Sequence, residues 1–366
     1  MLLSVSVMAH PSRKVEAESL AESLAGFPVR IVYDPEPDAG KSTVRVAREA
    51  WIPWCPEASH HMVIQDDCSL LGQFEAQVSK AVEHQPTAVL SLFSEWGSYT
   101  SGAVRIAALG GYAWVVPTDT YVPTQAAIMP TEVAHLFAAY LQDVDLDVPE
   151  DHAVFDFCVA DGHQFLVSVP HLVEHDGLES LTGNDYHGAR HASAPLVGEL
   201  PDDWWGRPVL DTLTSVPTIH WRTMKSSWRV RTSATSFDWS GVATLPSDSY
   251  EILESLATLR ATELSHILGV TDEPAAAIDA AFVTLARQAD IARDLQAPTL
   301  RPVRWIEQQA IRTALPGPLR LLGDDIPWGP MIDACESTGF ALVDDVRRLP
   351  MNSQPFPLQQ RMGSRG

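Results

Sequence analysis

The chain opens with three short apolar runs separated by two helix-patterned stretches, and this alternation restricts its fold more than any other feature. Leu2-Leu3-Ser4-Val5-Ser6-Val7, Val29-Arg30-Ile31-Val32-Tyr33 and Met62-Val63-Ile64 have strand length and are rich in aliphatic and β-branched residues. Between the first two, Val15, Leu20 and Leu24 recur at helical spacing, and Ser12 stands where a helix cap is wanted. A second helix is expected over residues 43–51, ended by Pro53 and Pro56. Strand, helix, strand, helix, strand implies parallel strands joined by right-handed crossovers, hence an α/β fold. In such sheets ligands gather at the carboxyl ends of the strands.

The third run stops on Gln65-Asp66-Asp67. Two adjacent carboxylates repel unless a cation or donor compensates them, and carboxylate oxygens are ligands that Mg²⁺ or Mn²⁺ prefers. The pair therefore suggests a metal-assisted site for an anionic substrate, set against the plain alternative of a solvated loop. Further acids follow at Pro149-Glu150-Asp151, where capping of a helix starting at Pro149 is the simplest account. His175 ends a later apolar segment and is a candidate nitrogen ligand.

Other strands are expected at Ala88-Val89-Leu90-Ser91-Leu92-Phe93, after Gly110-Gly111, and at Phe165-Leu166-Val167-Ser168-Val169-Pro170, with helices over residues 74–84, 131–141 and 153–159. The paired glycines suggest close approach of backbone to a ligand. Trp96, Tyr99, Tyr112 and Trp114 are candidates for a stacking wall, with Trp96 and Trp114 expected on the acceptor side.

Taken in order, Gln65-Asp66-Asp67 after a strand, Pro149-Glu150-Asp151 before a helix, and Pro170-His171-Leu172-Val173-Glu174-His175 with Gly177 and Ser180 resemble the layout of GT-A fold glycosyltransferases. The likeness is to inverting enzymes of the N-acetylglucosaminyltransferase type and spans residues 1–190. It implies a Rossmann-like domain over residues 1–195 and an enzyme that moves a sugar from a nucleotide-diphosphate donor, a UDP-sugar being expected, to an acceptor hydroxyl. By the same likeness, Asp67 and His175 hold Mn²⁺ or Mg²⁺, and Asp66, His10, Pro11, Arg13, Asp34 and Gly40 face the donor. Asp151 is then the base, with Asp156 as its rival. Gln65 and His171 depart from the family pattern.

These residue types suit that chemistry. A departing diphosphate needs positive charge, which a bound cation supplies. An acceptor hydroxyl is a poor nucleophile near neutral pH and needs a carboxylate to take its proton. In-line displacement with a single base implies inversion. Two other classes share the motifs: a sugar-nucleotide binding module without turnover, and a metal-dependent hydrolase using His60 and His61 beside the acidic pair.

Residues 196–366 carry no further motif and are expected to form a mainly helical accessory region that shapes the acceptor site or an oligomer contact. Trp204, Trp205, Trp221, Trp228 and Trp239 interleave there with Arg222, Lys225, Arg229 and Arg231, as a packing layer or a stacking surface. Helices are expected over residues 247–260, 273–295 and 305–314, and a frayed tail over 356–366. With 25 Lys and Arg against 47 Asp and Glu, the net charge of −22 disfavours a broad grip on nucleic acid, although a small molecule, a peptide or protein, or a modified DNA base all remain conceivable acceptors. Cys55, Cys68, Cys158 and Cys335 lack a metal-type spacing, and no run approaches the ~20 apolar residues of a membrane helix. A cytoplasmic protein is the expectation.

Overall fold

The computed structural model describes residues 2–183, 185–220, 222–233, 235–242, 251–295, 299–320 and 328–350. In chain order the strands are β1 (Leu3–Ala9), β2 (Val29–Tyr33), β3 (His60–Gln65), β4 (Cys68–Leu70), β5 (Val89–Ser91), β6 (Trp114–Val115), β7 (Ala126–Pro130), β8 (Phe165–Ser168), β9 (Val173–His175), β10 (Val209–Leu210), β11 (Ser215–His220), β12 (Lys225–Arg231) and β13 (Trp239–Val242). The helices of the first half are α1 (Lys14–Ser23), α2 (Thr43–Ala50), α3 (Phe74–His84), α4 (Thr100–Gly110), α5 (Thr131–Tyr140) and α6 (Glu150–Asp161). Those of the second are α7 (Glu251–Leu268), α8 (Asp272–Leu295), α9 (Arg304–Arg312), α10 (Pro316–Leu319) and α11 (Trp328–Arg348).

An eight-stranded sheet runs in the order β10-β6-β8-β5-β7-β3-β1-β2. β1 is parallel to both β2 and β3, as the opening alternation requires. β7 runs antiparallel between β3 and β5, so the sheet is mixed. Alternate side chains point to opposite faces of a strand, and this divides the core in two. Met62 and Ile64 of β3, with Ile128 of β7, join one apolar layer with α1, α3 and α4. Val63, Ala127 and Met129 join the other, with α2, α5 and α6.

Two small sheets complete the strands, β4 with β9 and β11-β12-β13. β4 pairs antiparallel with β9, setting Cys68 opposite His175 and so carrying that imidazole back beside the acidic pair. Beyond residue 196 the chain adds β10 to the edge of the large sheet and packs α8 and α9 onto α4. Every residue of α4 is buried, between the sheet and these later helices.

Gly110 and Gly111 have a different role from close approach to a ligand. Gly110 is the last residue of α4, and Gly111 caps it in the left-handed conformation at φ 82°, which glycine adopts without strain. The expected cap at Ser247 and the expected tail over residues 356–366 lie outside the described residues. No helix among the described residues is long and apolar enough to cross a membrane.

Candidate functional site

β1, β2 and β3 all deliver their carboxyl ends to one side of the sheet, and an open cleft of about 560 Å³ lies there. His10 and Arg13 follow β1, Asp34 follows β2, and Asp66 and Asp67 follow β3. All five line the cleft together with Gly40, and the first turn of α6 faces them with Glu150 and Asp151. Pro11 fixes φ at the start of the short helical turn Pro11–Arg13, which aims Arg13 at the acids.

Arg13 resolves the repulsion of the acidic pair. Its NH1 group donates to Asp66 Oδ1 at 3.0 Å and to Asp67 Oδ2 at 2.9 Å, with all three residues less than a tenth exposed. The His10 backbone N–H donates to Asp66 Oδ2 at 2.9 Å. Burial and the charge of Asp67 nonetheless raise the Asp66 carboxyl above its ordinary range. Burial works against charge at Asp67 too, but His175 and Arg13 outweigh it and hold the group at about 2. His175 Nε2 lies 3.5 Å from Asp67 Oδ2 and 3.0 Å from a nitrogen of Arg190.

Asp67 Oδ1 is buried and has no hydrogen-bond partner. A carboxylate oxygen left in that condition is costly, and an ordinary reason for tolerating it is a ligand. His175 stands beside it, but its Nδ1 accepts from the Gly177 N–H at 3.2 Å and its Nε2 faces Arg190 and Asp67, so the imidazole would ligate Mn²⁺ or Mg²⁺ only once Arg190 withdraws, and substrate oxygens would have to complete the set. No group of three or more His, Cys, Asp or Glu is gathered for a metal among the described residues.

Asp34 accepts from Arg45 Nε at 2.7 Å and from its NH2 at 2.6 Å. Arg45 also donates to the Gly40 carbonyl at 2.7 Å, so Asp34 tethers the loop that forms one wall. Gly40 itself sits at φ 91° with open space beside it.

Glu150 is the residue that sequence reasoning passed over as a cap. It is only 1% exposed, although it lines the cleft. Its Oε1 accepts from the Trp51 indole at 2.6 Å, its backbone N–H donates to Thr43 Oγ1 at 2.9 Å, and Oε2 has no hydrogen-bond partner. Burial pushes its carboxyl up to about 7, against the opposing pull of Trp51 and Thr124. No local pattern signals this, because Trp51 is remote in sequence and reaches Glu150 only once α2 packs on α6. Burial also raises Asp151, whose Oδ1 accepts from the His152 backbone N–H at 2.8 Å.

Trp114 and Trp96 stand away from the cleft. Trp114 is fully buried, with its indole donating to the Trp205 carbonyl at 3.1 Å, because β6 carries it into the core. A ring enclosed in that way has no face to offer an acceptor. Trp96 is 7% exposed and donates to the Ala189 carbonyl at 2.7 Å. His60 and His61 are buried and engaged as well: His60 with the Pro86 carbonyl, His61 with Ser4, Ser6 and the Ala50 carbonyl. Neither lines the cleft, so the two imidazoles named for a hydrolase stand away from it.

The arrangement can bind an anion through a cation and can exchange a proton. Seven carboxyl groups line the cleft against the three basic side chains Arg13, Lys41 and Arg190, so a polyphosphate needs added positive charge to enter. The chain matches no protein-family model and no curated protein.

Proposed function

We propose that the chain is a glycosyltransferase of GT-A type that moves a sugar from a nucleotide diphosphate to an acceptor hydroxyl with inversion. The observation that carries the reading is the meeting of the Asp66–Asp67 pair and the carboxyls of α6 across one cleft at the carboxyl ends of parallel strands. The cleft volume of about 560 Å³ falls within the ordinary range of small-molecule sites.

In this reading Asp67 Oδ1, with His175 once Arg190 withdraws from it, would hold Mn²⁺ or Mg²⁺. The bound ion supplies charge to the leaving phosphate. Arg13 keeps Asp66 and Asp67 side by side, and Lys41 and Arg190, the latter beside His175, are the cations of the cleft wall offered to phosphate oxygens. The loop tethered by Asp34 and Arg45 lies beside the nucleoside. A carboxylate of the first turn of α6, Glu150 or Asp151, takes the acceptor proton. The acidic surroundings support a metal requirement, since carboxyl groups outnumber basic side chains along the cleft.

Calorimetry of UDP, GDP and TDP with Mn²⁺ and with EDTA tests the reading, alongside nucleoside diphosphate release from a panel of nucleotide sugars. Binding that vanishes in EDTA is expected. Equal affinity in both conditions removes the metal, and no binding of any nucleotide removes the glycosyltransferase reading. Asp67→Asn should lower turnover by about 10²–10³-fold, the scale for losing one preorganised electrostatic contact.

A further inference from the structure

We propose that Glu150, and not its neighbour Asp151, is the group that takes the proton from the acceptor hydroxyl. This rests on the transferase reading above and fixes which carboxyl of the cleft does the acid–base work. The geometry carries it. Glu150 stands at the cleft wall with one oxygen fastened by Trp51, its backbone fastened by Thr43, and Oε2 left without a partner. That is a carboxyl held in a single orientation at the cleft wall, with Oε2 enclosed near the Thr124 side chain, so an acceptor hydroxyl entering the cleft has to displace Thr124 to reach it. Asp151 is arranged otherwise: its Oδ1 is turned back onto the His152 N–H of its own helix, and the residue is more exposed.

The charged surroundings point the same way. On α6 the charge that acts on Glu150 is Asp151, which repels its ionised form. From α2, Arg45 is bound to Asp34, while Arg48 donates to the carbonyls of Leu141, Gln142 and Val144. From α5, Glu132 and His135 are not among the groups that act on it. No basic partner therefore stabilises its anion, and burial makes the carboxylate a stronger base than an ordinary glutamate.

In the step itself, the acceptor oxygen forms its bond to the anomeric carbon while its proton passes to Glu150 Oε2. The bond from that carbon to the diphosphate breaks on the opposite side, and its electron pair leaves with the phosphate. Glu150 then returns the proton to solvent when product leaves.

The test compares Glu150→Gln, Glu150→Asp and Asp151→Asn in the full chain, using the donor found active with wild type, over a range of pH. Glu150→Gln keeps an oxygen for the Trp51 indole, so folding and nucleotide affinity in Mn²⁺ should survive. Its transfer rate should fall by about 10²–10⁴-fold, and the wild-type rise of rate through pH about 7 should be absent from what remains. Asp151→Asn should keep that rise and lose less than about tenfold. Glu150→Asp, which restores a carboxylate at a shorter reach, should recover part of the loss. Transfer by Glu150→Gln near the wild-type rate, or a pH rise that persists in it and disappears in Asp151→Asn, overturns the assignment while leaving the transferase intact. Wild type that binds nucleotide but releases no nucleoside diphosphate from any donor overturns the transferase reading and this step with it.

Discussion

Arginine is used in two opposite ways in this molecule. In the cleft, Arg13 spans two carboxylates, and its own charge is favoured by Asp67 and Asp66 against the opposing effect of burial. In the region after residue 200, arginines lie on aromatic rings instead: Arg207 over Trp204 at 4.1 Å, Arg231 over Trp239 at 4.7 Å and Arg229 over Tyr99 at 4.8 Å. Burial lowers Arg231 and Arg207, whose hydrogen bonds go to carbonyls and which have only a nearby acid in partial compensation. The first arrangement concentrates opposite charges beside an open volume. The second closes guanidinium groups over indoles and leaves Trp204, Trp205 and Trp228 almost fully buried. Alternating Trp and Arg in a sequence therefore signals a binding surface only where the rings remain accessible.

Removing Arg13 should break the contrast most severely. Arg13→Met leaves two nearly buried carboxylates facing each other without a cation, and breaking such a cluster by deleting one partner costs about 3–5 kcal/mol. Urea denaturation at neutral pH reads it, and a midpoint unchanged from wild type would mean that water already satisfies the pair.

Glu150→Gln sharpens the same contrast through pH. The folded carboxyl lies at about 7, above its ordinary 4.5, so the folded form holds its proton more tightly than the unfolded chain. Wild type accordingly loses stability as pH rises from 4.5 to about 7, by up to about 3 kcal/mol for a shift of that size. The variant should lack the share of that loss due to Glu150: equal to wild type near pH 4, and more stable by that amount near pH 8. Parallel pH profiles for the two proteins would place the titration elsewhere.

The smallest effect is expected among the stacked arginines. Arg207→Met keeps the apolar stem over Trp204 and loses the cation with its hydrogen bonds to the Gly111 and Arg301 carbonyls, together worth about 1–2 kcal/mol at a half-exposed site. A thermal shift as large as that of Arg13→Met would erase the distinction between the two regions.

The strands and most helices of the first half were legible because their apolar period matches one that a sheet with covered faces demands. Val63 against Met62 and Ile64 is the simplest instance, with adjacent residues sent to separate layers. β7 escaped notice because Ala126-Ala127-Ile128-Met129 is short and carries no alternation of polarity; only its two neighbours make it a strand. α4 escaped because it is covered on every side, Arg105 included, and so shows no polar face to mark its period. Of the residues expected at the donor side, His10, Arg13, Asp34, Gly40, Asp66 and Asp67 line one cleft because parallel strands end together, whereas Pro11 does not line it and shapes the turn that carries Arg13. The aromatic wall did not form, since Trp114 sits within a strand of the core and ring chemistry alone does not say which side faces water. Glu150 was invisible because the enclosure that raises its carboxyl forms only in the folded chain, with Trp51 arriving from just beyond the end of α2.

The enclosure of α4 bears on how the chain is made. Gly102 approaches β11 so closely that an added Cβ would lie 2.8 Å from the Pro217 carbonyl, and Arg105 donates to the carbonyls of Ala310 and Thr313. Those partners leave the ribosome long after α4 does. Until then an apolar helix has one face against the sheet and nothing over the other, a condition that slows folding and exposes surface to chaperones and to aggregation. A chain stopped near residue 198 should therefore fail by losing a lid on its own core, before any question of catalysis arises. The cover over a helix of the first half is thus supplied by α8 and α9 of the second.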